Sequence, residues 1–427
     1  MLLGDLIELK RGYDLPKKQR VAGHVPLISS AGLSDCHDEA KVKGPGVITG
    51  RYGTIGEVFY INDDFWPLNT TLYVKDFKGN HPKFIYYFLK TINYLQFSDK
   101  AAVPGVNRNH LHKASILVPL NIDEQKQIAK ILSDLDDKIH LNNQINQTLE
   151  SIAQAIFKSW FIDFEPVRAK IAAKQEGNDP ELAAMCAISG KSEVELHQMA
   201  EDDFAELQAT AALFPDELVE SELGEVPKGW DATALGNFLE IKRGGSPRPI
   251  QNFMAPTGYP WVKIADATAD PSPFLFKTKE FIIKEGLKKT VYLKKGSLIL
   301  TNSATPGLPK FLELDACIHD GWLYFPQKKH FSDNYLYFLF LKLRTQLVAQ
   351  GNGSVFTNLK TDILRNQVVL VPTREVIEKF DLQVGKILKM MKTQCIQSSN
   401  LSDLRDTLLP KLLSGKVSVL GFQGEVA

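Results

Sequence analysis

DEQKQIAKILSDLDDKIHLNNQINQTLESIAQAIF, residues Asp123–Phe157, contains neither glycine nor proline. Apolar side chains fall in one row at Ile128, Leu135, Leu149 and Ile156, spaced by multiples of seven, and Asn142 interrupts the row. A seven-residue spacing held over several turns marks the seam of a coiled coil, and a polar seam residue costs stability while fixing register. Ile131, Ile145 and Ile152 are expected to widen the stripe. The stretch has a counterpart: Phe380, Ile387, Leu401 and Leu408 keep the same intervals, with Gln394 in the polar place, each 252 residues after its partner. A single helix of this kind would be read as the cover of its own domain. Two helices matched in phase, length and polar break favour pairing with each other. The expected helix-pairing residues are Ile128, Leu135, Asn142, Leu149, Ile156, Phe380, Ile387, Gln394, Leu401 and Leu408.

Working outward, the flanking sequence is duplicated as well. LGDLIELKRG (3–12) recurs as LGNFLEIKRG (235–244), FIYYFLK (84–90) as YLYFLFLK (335–342), and SILVPL at Val118-Pro119 as QVVLVP at Val371-Pro372. The order is block, helix, block, helix, so the chain reads as a duplicated unit of roughly 180 residues with an insert. Within the blocks, GPGVITG, GEVFYI, TTLYV, YPWVKIAD and GSLILTNS are short β-branched and aromatic runs cut by glycine and proline, and so read as strands and turns. HPKFIYYFLK reads as one helix. The expected fold is α+β: two mixed α/β domains joined by two long helices that form an antiparallel coiled coil, with a pseudo-two-fold repeat. A helix of about 35 residues is on the order of 50 Å long. Antiparallel pairing would hang one block at each end, and two such heads could enter grooves of B-DNA roughly one 34–36 Å turn apart. Because the blocks differ in sequence, the target would be two unlike half-sites.

Composition agrees with a reduced, cytoplasmic, globular protein. The 427 residues are 44% apolar, and no uninterrupted apolar run nears the roughly 18 residues of a membrane span. The opening MLLGDLIELKRG lacks the layout of a signal peptide. Cys36, Cys186, Cys317 and Cys395 form no CxxC pair, so neither a disulfide framework nor a zinc site is expected. The formal net charge of zero is uneven: residues 176–225 hold 14 acidic side chains and one basic one, Lys191, leaving 49 basic against 36 acidic elsewhere. The remainder can carry the basic surface that phosphate binding needs.

At this point particular stretches match a family. TLESIAQAIFKSWFIDFEPVRAK (148–170) followed by LFPDELVESELGEVPKGW (213–230) resembles the central conserved region of Type I restriction–modification specificity subunits. GRYGTIGEVFYINDDFWPLNTTLYV (50–74) resembles one of their target-recognition-domain types, VPLNIDEQKQIAKIL (118–132) the start of the helix that follows, and LRDTLLPKLLSGKV (404–417) their C-terminal ending. The resemblance covers nearly the whole chain and is weakest over 176–212. It implies a target recognition domain over 1–120, a central conserved helical region over 121–175, an acidic insert or linker over 176–225, a second target recognition domain over 226–372 and a C-terminal conserved helical region over 373–427. It also implies double-stranded DNA as partner, with an adenine-containing bipartite site. Two methyltransferase subunits using S-adenosylmethionine would dock on the chain, joined by motor–nuclease subunits using ATP and Mg²⁺. Asp163, Glu165 and Arg168 become candidates for docking through the resemblance alone.

No catalytic site, metal site or cofactor is expected in this chain itself. It lacks the Asn/Asp-Pro-Pro-aromatic motif of an adenine methyltransferase and the phosphate loop of an ATP motor. Pro215-Asp216 with Glu240-Ile241-Lys242 has the outline of a magnesium nuclease, but the first repeat has no Pro-Asp before Glu8-Leu9-Lys10. His110-Leu111-His112 reads as a loop pair without a third ligand. A single-chain methyltransferase or nuclease, and a coiled-coil scaffold without DNA, stand as the rival readings. For DNA contact, residue type selects the loop at Arg51, Tyr52 and Thr54, whose flanking glycines allow close approach and whose arginine can pair with guanine. To these are added Lys10, Arg11, Lys17, Lys18 and Arg20 for phosphates, and the polar Asn69, Thr70, Asn107, Arg108 and Asn109. In the second block the equivalents are Lys242, Arg243, Arg248, Asn302, Ser303, Thr305, Lys310, Thr357 and Asn358.

Overall fold

A computed structural model describes residues 1–98, 105–349, 359–417 and 419. The chain divides into two compact units, Met1–Asn142 with Ile396–Ala427, and Asn143–Cys395, so the division runs through the middle of both long helices.

The first unit opens with α1 (Leu3–Leu6), β1 (Glu8–Arg11), β2 (Val25–Ser29), β3 (Gly32–His37), β4 (Gly46–Gly50), β5 (Val58–Ile61), β6 (Trp66–Pro67) and β7 (Thr71–Asp76). One antiparallel sheet has the order β1-β7-β4-β5 and a second has β3-β2-β6, its β2·β6 pair being parallel. The central strand β4 is buried along its length, with Val47 facing one apolar cluster and Ile48 another. Helix α2 (Pro82–Leu89) starts on a proline, whose missing N–H is no loss in a first turn, and buries Phe84, Ile85, Tyr87, Phe88 and Leu89. After α3 (Arg108–His112) comes the long helix α4 (Ile122–Phe161). Asn121 caps it, its Oδ1 accepting the N–H groups of Asp123 (2.8 Å) and Glu124 (3.2 Å). Ile128, Ala129 and Leu132 of α4 enter this unit's core beside Leu412 and Leu413.

The second unit takes up the rest of α4, which stops where Phe164 turns the chain at φ 55 before α5 (Glu165–Glu176). A side chain in the left-handed region is strained, and here Phe164 is held by burial against Trp230, ring centroids 6.0 Å apart. The acidic insert is folded. α6 (Pro180–Ser189), α7 (Glu193–His197) and α8 (Glu201–Ala211) share a small core of Ala184, Met185, Leu196, Leu207 and Ala211. Lys170 joins it to α5, donating to Glu181 Oε1 (2.7 Å) and the Phe214 carbonyl (2.8 Å). A hairpin, β8 (Leu218–Ser221) with β9 (Gly224–Pro227), then crosses the expected boundary at 225/226. Residues 176–225 thus hold three packed helices, α6 to α8, and the start of the hairpin.

The second head comprises β10 (Asp231–Ala234), β11 (Leu239–Arg243), β12 (Met254–Ala255), β13 (Tyr259–Val262), α9 (Ile264–Ala269), β14 (Phe274–Leu275), β15 (Glu280–Ile282), β16 (Val291–Leu293), β17 (Leu298–Thr301), β18 (Pro309–Leu312), β19 (Ala316–Ile318), β20 (Trp322–Lys328), α10 (Asp333–Ala349), α11 (Thr361–Arg365) and β21 (Val368–Val371). Its sheet β11-β20-β17-β18 repeats the order of the first head and adds β14 at the edge. Its parallel pair β13·β19 repeats β2·β6. Helix α12 (Arg374–Leu413) follows; like α4 it has 40 residues, and both of its ends lie 252 residues after those of α4.

Within each unit the two long helices pair antiparallel. In the first, Asp136 meets Arg405 (2.6 Å) and Asn142 meets Gln397 (2.9 Å). In the second, Asn146 meets Cys395 (3.2 Å) and Phe157 meets Phe380, centroids 5.8 Å apart. Partner numbers fall on one helix as they rise on the other.

Candidate nucleic-acid interface

In each head three backbone segments converge on the loop that follows the central strand. In the first, Gly12 N–H donates to the Thr71 carbonyl and Tyr13 N–H to Pro67. Arg51 N–H donates to Thr70, and Val106 N–H to the Arg51 carbonyl. In the second, Gly244 donates to Trp322, Gly245 to Ile318, Asn302 to Gly321, and Leu359 to Asn302. The loops bend at matching places, Gly53 (φ 76) and Gly56 (φ 86) against Ala304 (φ 56) and Gly307 (φ 78). One backbone frame therefore presents two sets of side chains.

The first set is basic and open. Arg51 is half-buried, its guanidinium 4.5 Å from the Tyr52 ring centroid, and Thr54 is exposed. Tyr52 packs where Gly105 leaves room, since a Cβ there would meet its ring at 2.2 Å. Thr70 Oγ1 accepts the Ser30 N–H (3.3 Å), and Asn107 caps α3 by accepting the Asn109 N–H (2.9 Å). Arg108 and Asn109 are exposed, as are Lys17 and Lys18. Lys10 Nζ lies 3.4 Å from Tyr13 Oη. Arg11 lies 3.6 Å from Asp14, which also accepts from Asn69 Nδ2. Arg20 is engaged by Asp35 at 3.0 Å, which holds that carboxyl below its usual range.

The second set is more enclosed. Asn302 is 2% exposed, and its Nδ2 donates to the Asp320 carbonyl (3.2 Å). Ser303 and Thr305 are half-buried. Lys242 pairs with Glu240 at 2.7 Å; Arg243 Nε donates to the Asp320 carbonyl, and Arg248 lies 3.5 Å from the Asp320 carboxylate. Lys310 does not belong to a phosphate surface. It is 2% exposed, its ammonium donates to the carbonyls of Asp270 (2.7 Å) and Ser272, and burial pulls its pKa below the ordinary lysine value. It sits on β18, buried on both faces, so its cation is structural. Thr357 and Asn358 lie outside the described residues.

His110-Leu111-His112 is helical rather than a loop, and His112 Nε2 accepts the Leu9 N–H at 2.9 Å. Among the described residues no group of three or more His, Cys, Asp or Glu side chains is arranged to hold a metal, and no helix is long and apolar enough to cross a membrane. On the helices, Ile128, Asn142 and Phe380 are buried, while Leu135, Leu149, Ile156, Ile387, Gln394, Leu401 and Leu408 are half-buried. Ile152 is exposed at 45%; Ala153 and Phe157 take the inward places. Asn142 donates to Gln397 Oε1 and to Ser398 Oγ (3.3 Å). Asp14 and Asp320, neither a cation nor an amide, join these residues only through the backbone bonds that the two heads share.

The family model for the Type I restriction modification DNA specificity domain matches residues 1–151 and 227–400, once for each repeat. The chain is similar to the Type I restriction enzyme HindI specificity subunit of Haemophilus influenzae, 32% identical over 403 residues, covering 86% of this chain and 84% of the relative. It is 24% identical over 411 residues to the MjaIX specificity subunit of Methanocaldococcus jannaschii, covering 92% and 82%. Its fold is similar to the crystal structure of a Type-I restriction-modification system S subunit from M. genitalium, with a TM-score of 0.56 at 14% identity, over 97% of this chain and 95% of that one.

Proposed function

Because this chain belongs to the family of Type I restriction–modification specificity subunits, we propose that its two heads read two unlike half-sites of a bipartite DNA target. The chain is a DNA sequence-specificity subunit, and its partners are DNA and the modification and restriction subunits of such a system. More finely, two methyltransferase subunits dock on it and supply S-adenosylmethionine chemistry at an adenine, while motor–nuclease subunits bring ATP and Mg²⁺. The chain contributes recognition and no catalysis of its own, and it works in the cytoplasm, where the DNA is.

The observation that carries this reading is the repeated loop: one hydrogen-bonded frame holds Arg51, Tyr52 and Thr54 in one head and Asn302, Ser303 and Thr305 in the other. Identical frames with different side chains suit two sites of one chemical kind and different sequence. Arginine is able to pair with guanine in the major groove, and the half-buried Ser303 and Thr305 carry hydroxyls able to meet base edges. Asn302, 2% exposed and bonded to the Asp320 carbonyl, holds the loop rather than reads a base. Lys17, Lys18, Arg108 and Lys10 supply positive charge for phosphates, which position a protein without reading sequence.

The test is to map methylated bases in DNA treated with the full complex. A bipartite adenine-containing motif with an unspecified spacer is expected, and binding should weaken steeply as salt rises. Arg51→Ala should relax one half-site only, by about 1–3 kcal/mol of discrimination. Purified chain alone, given Mg²⁺ or S-adenosylmethionine, should neither cut nor methylate. Turnover by the chain alone, or methylation without sequence preference, would refute the reading.

A further inference from the structure

In each head one arginine lies beside a carboxylate, Arg11 by Asp14 and Arg248 by Asp320, and the carboxylate stands on opposite sides of the same contact. In the first head Asp14, just after β1, accepts from Nδ2 of Asn69, just before β7, and lies 3.6 Å from Arg11. The backbone bonds that close each frame match Asp14 with Ser246 and Asn69 with Asp320. In the second head Ser246 Oγ donates to Asp320 Oδ1 at 2.6 Å, so the charge has crossed to the other segment. Asp320 also gathers three side chains: Arg248 at its carboxylate, and Arg243 with Asn302 at its carbonyl.

These pairs are too exposed to be explained by stability. The side chains of Arg11 and Asp14 are 51% and 69% exposed, those of Arg248 and Asp320 80% and 40%, and ion pairs this wet add little to folding. A carboxylate on a surface that meets phosphates also opposes binding. Its presence in both heads, at one contact, calls for a compensating role. A carboxylate beside a guanidinium restricts the directions in which that fork can point, and bidentate base reading depends on direction.

Resting on the DNA-reading function above, we propose that Asp14 and Asp320 are positioning residues for sequence specificity. Each fixes how its neighbouring arginine, Arg11 or Arg248, faces a half-site, and the side on which the carboxylate stands makes the two heads present them differently. Neither is assigned a base contact.

The experiment uses the full chain assembled with its methyltransferase subunits and a pool of duplexes with randomised half-sites, scored by methylation. Asp320→Asn keeps an acceptor for Ser246 and removes the charge. It should lower discrimination at one half-site by about tenfold or more, the scale of one misread base pair. The other half-site and the thermal midpoint should not change. Asp14→Ser should affect the other half-site, and adding Asn69→Asp, which places the carboxylate as in the second head, should bring back strong discrimination there but toward a different preferred sequence. Unchanged profiles for Asp320→Asn would overturn the proposal. So would a double variant no better than Asp14→Ser alone, or losses at both half-sites that track a falling midpoint. A wild-type complex that methylates the pool without preference would instead overturn the DNA-reading function, and this inference with it.

Discussion

The two heads share a sheet order and a loop frame, and both hydrogen-bond to a carboxylate on a long helix, Tyr87 to Asp136 and Ser332 to Asp381, but they differ in what surrounds the matched seam position. In the second unit, Phe380 sits within 5.2–6.3 Å, centroid to centroid, of Phe157, Trp160, Phe161, Tyr335 and Phe338. In the first, the repeat partner of Phe380 is Ile128, buried among Ala129, Leu132, Leu412 and Leu413. There the smaller apolar contact is accompanied by a polar one. Tyr87 Oη donates to Asp136 (2.7 Å), and Arg405 of α12 donates to the other carboxylate oxygen (2.6 Å), so head and both helices meet on one group. The fold needs an apolar residue at that seam position; it does not dictate which kind, and a hydrogen-bonded carboxylate can supply definition where rings do not.

The largest expected effect tests the aromatic fastening. Phe380→Ala should cost about 3–5 kcal/mol, the usual range for emptying a ring-sized core site. Denaturant unfolding followed by tryptophan fluorescence reads it well, because Trp160, Trp230, Trp261 and Trp322 all belong to the second unit. An equal or greater loss from Ile128→Ala would break the contrast. Next comes the polar fastening. Asp136→Ala leaves the Tyr87 hydroxyl without its acceptor and Arg405 with Asp406 alone, for about 1–3 kcal/mol. A double-mutant cycle with Arg405→Ala should return a coupling of about 0.5–3 kcal/mol. Zero coupling would reduce the triad to packing alone.

A smaller effect should be common to both heads. His112 accepts the Leu9 N–H, and His319 sits between the N–H groups of Ile264 (3.2 Å) and Gly321 (2.6 Å), one of which its neutral ring accepts. Burial holds both imidazoles below their ordinary value of about 6.5. The folded state thus resists a proton that the unfolded chain takes up. The stability tied to these groups is full above about pH 6.5 and is lost as the pH falls through the depressed folded values. Unfolding midpoints should drop on acidification to about pH 5.5, and His112→Gln and His319→Gln should each flatten that slope. A midpoint that holds or rises on acidification would contradict the burial argument.

How far the sequence could be read varies with the kind of information each feature carries. The seven-residue rows located both long helices, because a stripe is a property of one helix. They could not name the partner of Asn142: in an antiparallel pair that depends on the offset between helices, and here it selects Gln397 and Ser398. Ile152 was expected inside and lies outside, because a strict seven-residue step drifts against 3.6 residues per turn. Lys310 read as a free cation because β18 is buried on both faces and so shows no alternation to betray a buried lysine. The arginines of the candidate surface were visible by type. The carboxylates that hold them were not, since only the repeated backbone bonds place Asp14 opposite Asn69 and Ser246 opposite Asp320. The fold of 176–225 was hidden for a similar reason: its anchor, buried Lys170 with Glu181 and the Phe214 carbonyl, joins residues far apart in sequence.

The smallest effect asks whether the two loops are one structure. Gly53 and Ala304 occupy the same turn with φ of 76 and 56. The left-handed region costs a residue with a Cβ about 1–2 kcal/mol, which glycine escapes. Against this, alanine restricts the unfolded chain and recovers about 0.4–1 kcal/mol. A Cβ at Gly53 would touch only Ser30 Oγ, at 3.3 Å, so no large clash is added. Gly53→Ala should therefore lose about 0.5–1 kcal/mol, and Ala304→Gly should gain about the same, by the difference of those two terms. Paired denaturation curves measure both. Opposite signs of similar size follow only if both residues share one backbone state; two changes of the same sign would mean that the loops have parted in shape as well as in side chain.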